Sequence, residues 1–231
     1  MDIAYHSDAS GPVGCNGASR IVAVEPTLFR VPLAEALSDA GHGLHTHFEI
    51  VTCRIVCADG LEGIGYTYTG GRGGQAIHAL LAHEIAPLLL GRDAAEVEAL
   101  WADMRGWLHY LGLGGVCAFA VAAADIALWD LRGLRAQRPL WQLAGGHADH
   151  VACYRGLIDL GYSDDQLLAA VEREFAAGHR GIKLKVGRKD IATDVRRVRA
   201  VRRLIGDDAI LMADANYSWD ADQAIAFARA V

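Results

Sequence analysis

"GIKLKVG", residues 181–187, has the pattern of a short buried strand, yet it carries two lysines. Side chains alternate along a strand, so Lys183 and Lys185 point the same way. Two neighbouring ammonium groups repel each other and resist desolvation. With Ile182, Leu184 and Val186 on the opposite face, the strand needs something negative in front of the lysines.

The residues after about position 150 supply a frame for that partner, because strands and helices alternate there. "VACYRGL" reads as a strand and "SDDQLLAAVEREFAAG" as a capped helix stopped at Gly178. "GIKLKVG" and "IATDVRRVRAVRRLIG" repeat the pair, then "AILMADAN" reads as a strand and "SWDADQAIAFARAV" opens a helix at Ser218. A strand–helix repeat of about thirty residues predicts parallel βαβ units. Chemistry in such folds gathers at the C-terminal ends of the strands. Lys183 and Lys185 end one strand; Asp214 and Asn216, also two apart, end the next, and 214 − 185 = 29 is one repeat. Adjacent strands lie about 4.8 Å apart, so both pairs can project into one space. Asp214 is the expected negative partner and a candidate metal ligand.

A lysine base beside a metal-binding carboxylate suits removal of a proton next to a carboxylate. That proton is very weakly acidic, and its loss builds a doubly charged enediolate that a divalent cation stabilises. A neighbouring ammonium lowers the pKa of the base, so Lys183 is expected to tune Lys185 and to bind the negative charge of the substrate. The bland alternative is two lysines reaching for solvent beside an ordinary aspartate.

Upstream, "RIVAVEPTLFRV", "FEIVTCRIVCADG" and "LEGIGYTY" predict strands, with a turn at Asp59-Gly60. "LAEALSDAGHGLHTH" reads as a polar loop between the first two strands, and "TGGRGG" as a second loop after the third. Helical spacing follows in "GGQAIHALLAHEIAPLLLG", in "AAEVEALWADM" with Asp93 as its N-cap, and from about Gly114 to Arg135, where the sequence is apolar almost all round. Residues 1–20 have no basic start and no apolar core and read as a mobile tail, not a secretory signal. The domain reading is therefore tail 1–20, an α+β domain over 21–148, and a βα domain over 149–231.

The 22 Lys and Arg against 28 Asp and Glu leave a net charge of −6, which gives no support to nucleic-acid or anionic-membrane binding. The basic run Arg196, Arg197, Arg199, Arg202 and Arg203 interleaves with Val195, Val198, Val201 and Leu204 at helical spacing, so it reads as the wet face of a helix. Five scattered cysteines (Cys15, Cys53, Cys57, Cys117 and Cys153) complete no zinc pattern and predict reduced, buried thiols in a cytoplasmic protein. No apolar run is long and uninterrupted enough to span a membrane. Gly70 to Gly74 lacks the Lys-Ser/Thr ending of a phosphate loop. Asp125 and Asp130, beside Trp129, are expected to cap and to make interdomain hydrogen bonds.

"DGLEGIGYTYTG", "AAADIALWDLRG", "PLWQLAGG", "GIKLKVG" and "DVRRVRAVRRLIGDDAILMADANYSWD" together resemble the enolase superfamily, in its mandelate racemase and muconate-lactonizing branch. The resemblance implies an α+β capping domain followed by the first three βα units of a modified (β/α)8 TIM-type barrel, with Mg²⁺ at the strand ends. It implies Lys185 as general base, Lys183 as its electrostatic partner, Asp214 as a metal ligand and Asn216 as a substrate contact. The two polar loops resemble the specificity loops of the family, making His45, His47, Tyr66, Tyr68 and Arg72 candidate substrate contacts. The wording is most similar to the acid-sugar dehydratases, with racemase or epimerase and cycloisomerase as the other reactions of the branch; family members are usually homo-oligomers. A whole barrel has eight strands and this sequence predicts three, leaving an exposed apolar edge. The chain is therefore expected to be part of a longer enzyme, the alternative being a non-catalytic fragment or scaffold.

Overall fold

The strand Gly43–Cys57 (β2) shows why the first sheet forms: Val51, Cys53, Ile55 and Cys57 alternate with half-exposed neighbours and are at most 1% exposed. Burying a side chain such as Ile55 contributes roughly 1.5–3 kcal/mol. The computed structural model describes residues 17–231. In it β2 lies between Ile21–Asp39 (β1) and Glu62–Thr69 (β3), and it pairs antiparallel with β3 from Glu49↔Thr69 to Val56↔Glu62.

The turn between β1 and β2 is only residues 40–42. The stretch expected to be a long polar loop is thus mostly strand. It lacks a buried face, since residues 31–36 are nearly all exposed, so its pairing left no apolar alternation to read. Gly17–Ser19 form a 3₁₀ turn and Arg20 bridges to Asp93, so part of the segment read as a tail is structured; residues 1–16, with Cys15, lie outside the described residues.

Gly74–Leu80 (α1), a π turn at Leu81–Ile85 and Ala86–Leu89 (α2) run on as one helix. Its ladder widens just before Pro87, which has no N–H to donate. Val97–Trp107 (α3) starts later than expected. Asp93 instead accepts from the Ala95 N–H at 2.9 Å in the preceding turn. Gly115–Ala136 (α4) lies against β3 through alanines: Ala120, Ala123, Ala124 and Ala127 are fully buried, whereas Val116, Phe119, Ile126 and Leu134 are 39–47% exposed. The apolar composition implied burial on several sides; the buried residues form one broad face, and these four apolar side chains stay half-exposed. Asp130 accepts the Ile64 N–H at 2.9 Å, a bond between α4 and β3 within one unit and not between domains. Cys53, Cys57 and Cys117 are buried thiols and Cys153 is exposed.

Leu140–Leu143 (α5) leads into the second unit, where Arg155–Gly156 (β4), Gly181–Lys185 (β5) and Ile210–Asp214 (β6) form a parallel sheet in that order. Asp164–Ala176 (α6) and Ala221–Ala230 (α8) each begin with a complete capping box, from Ser163 with Gln166 and from Asp220 with Gln223. α8 therefore starts after Asp220, not at Ser218. Ile191–Ile205 (α7) is capped by Asp190. Ile182, Leu184 and Val186 pack with Leu167, Val171, Val198, Val201 and Phe227 of the helices, which leaves the lysines on the other face. By contacts the described residues divide into 17–30 with 49–147, and 31–48 with 148–231. The β1–β2 turn thus groups with the parallel sheet. Among the described residues no helix is long and apolar enough to cross a membrane.

The closeness of α4 to β3 makes a prediction. A Cβ at Gly65 would lie 2.0 Å from the Ala123 carbonyl oxygen, whereas one at Gly106 meets nothing within 4 Å. Thermal unfolding should show Gly65→Ala destabilised by about 2 kcal/mol or more. Gly106→Ala, in the interior of α3, should instead be stabilised by about 0.5–1 kcal/mol.

Candidate active site at the strand ends

Parallel register places Lys183 opposite Met212 and Lys185 opposite Asp214. Both ammonium groups converge on one atom, each Nζ lying 2.9 Å from Asp214 Oδ2. The other carboxylate oxygen, Oδ1, accepts the Asn216 backbone N–H at 2.9 Å. Burial pushes the Asp214 carboxyl up, but the Asn216 N–H and the two lysines outweigh it and hold the group well below the usual carboxylate range. The hydrogen bond to Asp214 pushes Lys183 above its ordinary value against the opposing effect of burial. The negative partner that the strand required is the predicted one.

Asn216 and Tyr217 both have left-handed backbones, φ 46° and 64°, which turns the chain sharply after β6. The Asn216 Oδ1 is buried with no hydrogen-bond partner. A cavity of about 450 Å³ opens here, lined by Lys183, Asp214, Asn216, Tyr217, Trp219 and Ala224 among others. Mg²⁺ takes oxygen ligands. The Asp214 carboxylate fits that demand, an oxygen donor with no soft ligand competing beside it.

Beneath the lysines lies a charged layer that sequence reasoning missed. Asp159, fully buried, accepts the Lys185 backbone N–H at 2.8 Å and pairs with Arg197 Nη2 at 3.1 Å. Burial pushes its carboxyl up, opposed by the Lys185 N–H and Arg197. Arg197 is 3% exposed and so does not belong to the wet face of its helix. It shares the inner stripe of α7 with Asp194, Val198 and Val201. Asp194 in turn accepts the Gly187 and Arg188 N–H groups, each at 2.8 Å, and the Arg188 guanidinium at 2.6 Å. These bonds fix the loop that follows Lys185. The i, i+3 spacing of Asp194 and Arg197 with the apolar residues was the available signal.

The β1–β2 turn is packed on the strand-end loops of the same unit. A Cβ at Gly41 would lie 2.1 Å from the Asn216 carbonyl oxygen, and one at Gly187 2.6 Å from Ala40 Cβ. Asp39, 7% exposed, accepts the Gly41 and His42 N–H groups and faces the His42 and His45 rings. His45 is 8% exposed, gives its Nε2 to Asp39 and stacks on Phe48, and its Nδ1 has no partner. His47 is half-buried beside Thr46.

Tyr66 and Tyr68, 57% and 59% exposed, and Arg72, exposed, belong to the first unit. In the glycine loop there, the Gly74 N–H is taken by the Glu49 carboxylate at 2.8 Å, an arrangement opposite to a phosphate cradle. A smaller cavity of about 280 Å³ between α3 and α4 holds Asp125, whose carboxyl is pushed up by burial and by the Glu98 charge. It offers no base paired with a metal ligand.

Two measurements check this layer in the metal-free chain. Arg197→Met strands Asp159 as a buried charge, so denaturant unfolding should show a loss of about 3–5 kcal/mol. Because the Asp214 carboxyl is depressed in the folded state, its contribution is present above the unfolded value of 3.8 and is lost as pH falls through that value and below. The stability gap between wild type and Asp214→Asn should therefore be widest near neutral pH and close in acid.

Residues 21–145 match the family described as mandelate racemase/muconate lactonizing enzyme, N-terminal domain, and residues 166–231 match the enolase C-terminal domain-like family. The chain is 46% identical over 208 residues to a 3,6-anhydro-α-L-galactonate cycloisomerase of Streptomyces coelicolor, covering 90% of this chain and 58% of that protein. It is 36% identical over 233 residues to the L-talarate/galactarate dehydratase of Salmonella typhimurium, covering 98% of this chain and 58% of that enzyme. A crystal structure of a racemase from Streptomyces coelicolor with bound magnesium superposes with a TM-score of 0.89 at 46% identity, over 91% of this chain and 59% of that one. The chain thus spans somewhat under three-fifths of the length of these relatives, and its α+β domain and partial parallel sheet are those of the family. By motif, fold and strand-end geometry, it belongs to the mandelate racemase/muconate lactonizing enzyme branch of the enolase superfamily.

Proposed function

We propose that this chain carries the proton-abstracting half of a Mg²⁺-dependent enzyme acting on sugar acids, with Lys185 as the base that takes the proton α to the carboxylate. The observation that carries this reading is the convergence of Lys183 and Lys185 Nζ on Asp214 Oδ2, each at 2.9 Å, at the C-terminal ends of parallel strands. Lys185 is the better enclosed of the two, 12% exposed against 32% for Lys183, which suits a base that must exclude water. Once Asp214 turns away and the Lys185 ammonium has given a proton to solvent, its neutral amine can accept the α-proton, while Lys183 stays as a positive charge for the substrate carboxylate. When bound at Asp214, a divalent cation supplies the charge that stabilises the enediolate. Asn216, with its orphaned amide oxygen, is placed to accept a hydroxyl hydrogen bond from the substrate. His47, in the same unit, is a further candidate contact, whereas His45 has its Nε2 committed to Asp39.

The reaction that follows proton removal is read as loss of the β-hydroxyl, a dehydration, on the strength of the similarity to the talarate/galactarate dehydratase. Cycloisomerisation is the second reading, favoured by the 46% identity to the Streptomyces cycloisomerase.

Exchange of the α-proton of galactarate into deuterated water, followed by NMR with Mg²⁺ present, is the direct test. Lys185→Ala should slow the exchange by about 10²–10⁴-fold. Exchange that persists in the variant removes Lys185 from the role of base. No exchange and no Mg²⁺-dependent stabilisation in the wild-type chain would favour a non-catalytic module instead.

A further inference from the structure

We propose that Asp39, His42 and His45 form a binding site for a divalent transition-metal ion such as Zn²⁺, Ni²⁺ or Co²⁺, built from different residues than the strand-end site. The three side chains stand at every third position of the turn that joins β1 to β2, in "DAGHGLH". One ligand atom from each lies within 4.8 Å of the other two.

The geometry around the carboxylate is specific. Asp39 Oδ1 accepts the Gly41 N–H at 2.9 Å and the His42 N–H at 2.7 Å. Those two turn amides fix the plane of the carboxylate and leave Oδ2 facing both imidazoles, 3.1 Å from His42 Nδ1 and 3.2 Å from His45 Nε2. Ligand atoms about 2.0–2.2 Å from a tetrahedral ion stand roughly 3.4 Å apart, so the two oxygen–nitrogen separations need to open only slightly, while the two nitrogens, within 4.8 Å of one another, draw together. The rings are also held in place. His45 is buried and stacked on Phe48 at 5.6 Å, and His42 meets Tyr217 edge-on at 6.4 Å.

For both rings to donate to Asp39, His45 must carry its proton on Nε2, and its Nδ1 is then a buried acceptor with no donor. A metal at the common point of Oδ2, Nδ1 and Nε2 would instead take the Nε2 lone pair of His45 and place its proton on Nδ1. Two imidazoles and one carboxylate are a donor set for zinc, nickel and cobalt, and a poor one for Mg²⁺, which demands oxygen ligands. The site is therefore chemically separable from Asp214. Its occupation would pin residues 40–42, whose Gly41 has no room for a Cβ against Asn216.

Titrating the full chain with Co²⁺ in the presence of excess Mg²⁺, and following the visible Co²⁺ absorption, tests the assignment. The expected result is one saturating equivalent. His42 is 54% exposed, so His42→Ala should leave the metal-free chain folded with an unchanged Tm and weaken Co²⁺ binding about tenfold or more. Asp214→Asn should leave the Co²⁺ signal unchanged. Absence of a saturable signal, an unaltered titration in His42→Ala, or loss of the signal in Asp214→Asn would each overturn the proposal.

Discussion

A single carboxylate oxygen organises the strand-end cluster of the second unit. Asp214 Oδ2 accepts from two ammonium groups that would otherwise repel one another on adjacent same-face positions of β5. Remove that oxygen and Lys183 and Lys185 have no reason to share a partly buried strand face. Ion pairs this enclosed contribute more through specificity of arrangement than through net stability, and here the arrangement is what matters. Each lysine is oriented towards the carboxylate proposed above as the metal ligand.

The rest of the unit exists to put that oxygen in register. Ile182, Leu184 and Val186 bury one face of β5 under the helices, which forces the lysines to the other. Parallel pairing then sets Lys185 opposite Asp214. Below, Asp159 reads the Lys185 backbone N–H and is itself neutralised by Arg197, while Asp194 ties down the backbone at Gly187 and Arg188. Buried charges of this kind are costly unless fully paired. Every one of these carboxylates has both a backbone donor and a guanidinium.

Much of this was legible in the sequence, for physical reasons. The lysine–aspartate site could be read because strand alternation and the βα repeat are strong geometric constraints: two residues apart means one face, and one repeat means the neighbouring strand. The helices of the second unit could be read from their apolar stripes, and their starts were misplaced only where Asp220 competes with Ser218 as a cap. What failed were features without a periodic signal. The far half of β1 is held by strand pairing without a buried face, so it resembled a loop. Arg197 looked like one more solvated arginine because its neighbours in the basic run are solvated; its place on the apolar stripe was the one local sign, and its buried partner lies 38 residues away. The clustering of Asp39, His42 and His45 depends on how the turn closes. Their spacing alone does not reveal it.

The most direct test of the central claim is the ¹⁵N NMR spectrum of the lysine ammonium groups in the metal-free chain, compared between wild type and Asp214→Asn. If both lysines are bound to one carboxylate oxygen, the Lys183 and Lys185 Nζ resonances should be protected from solvent exchange in the wild type. Both should then shift and lose that protection together in the variant. Two lysines with solvent-like signals in the wild type, or signals untouched by the substitution, would contradict the shared-oxygen site on which the account depends.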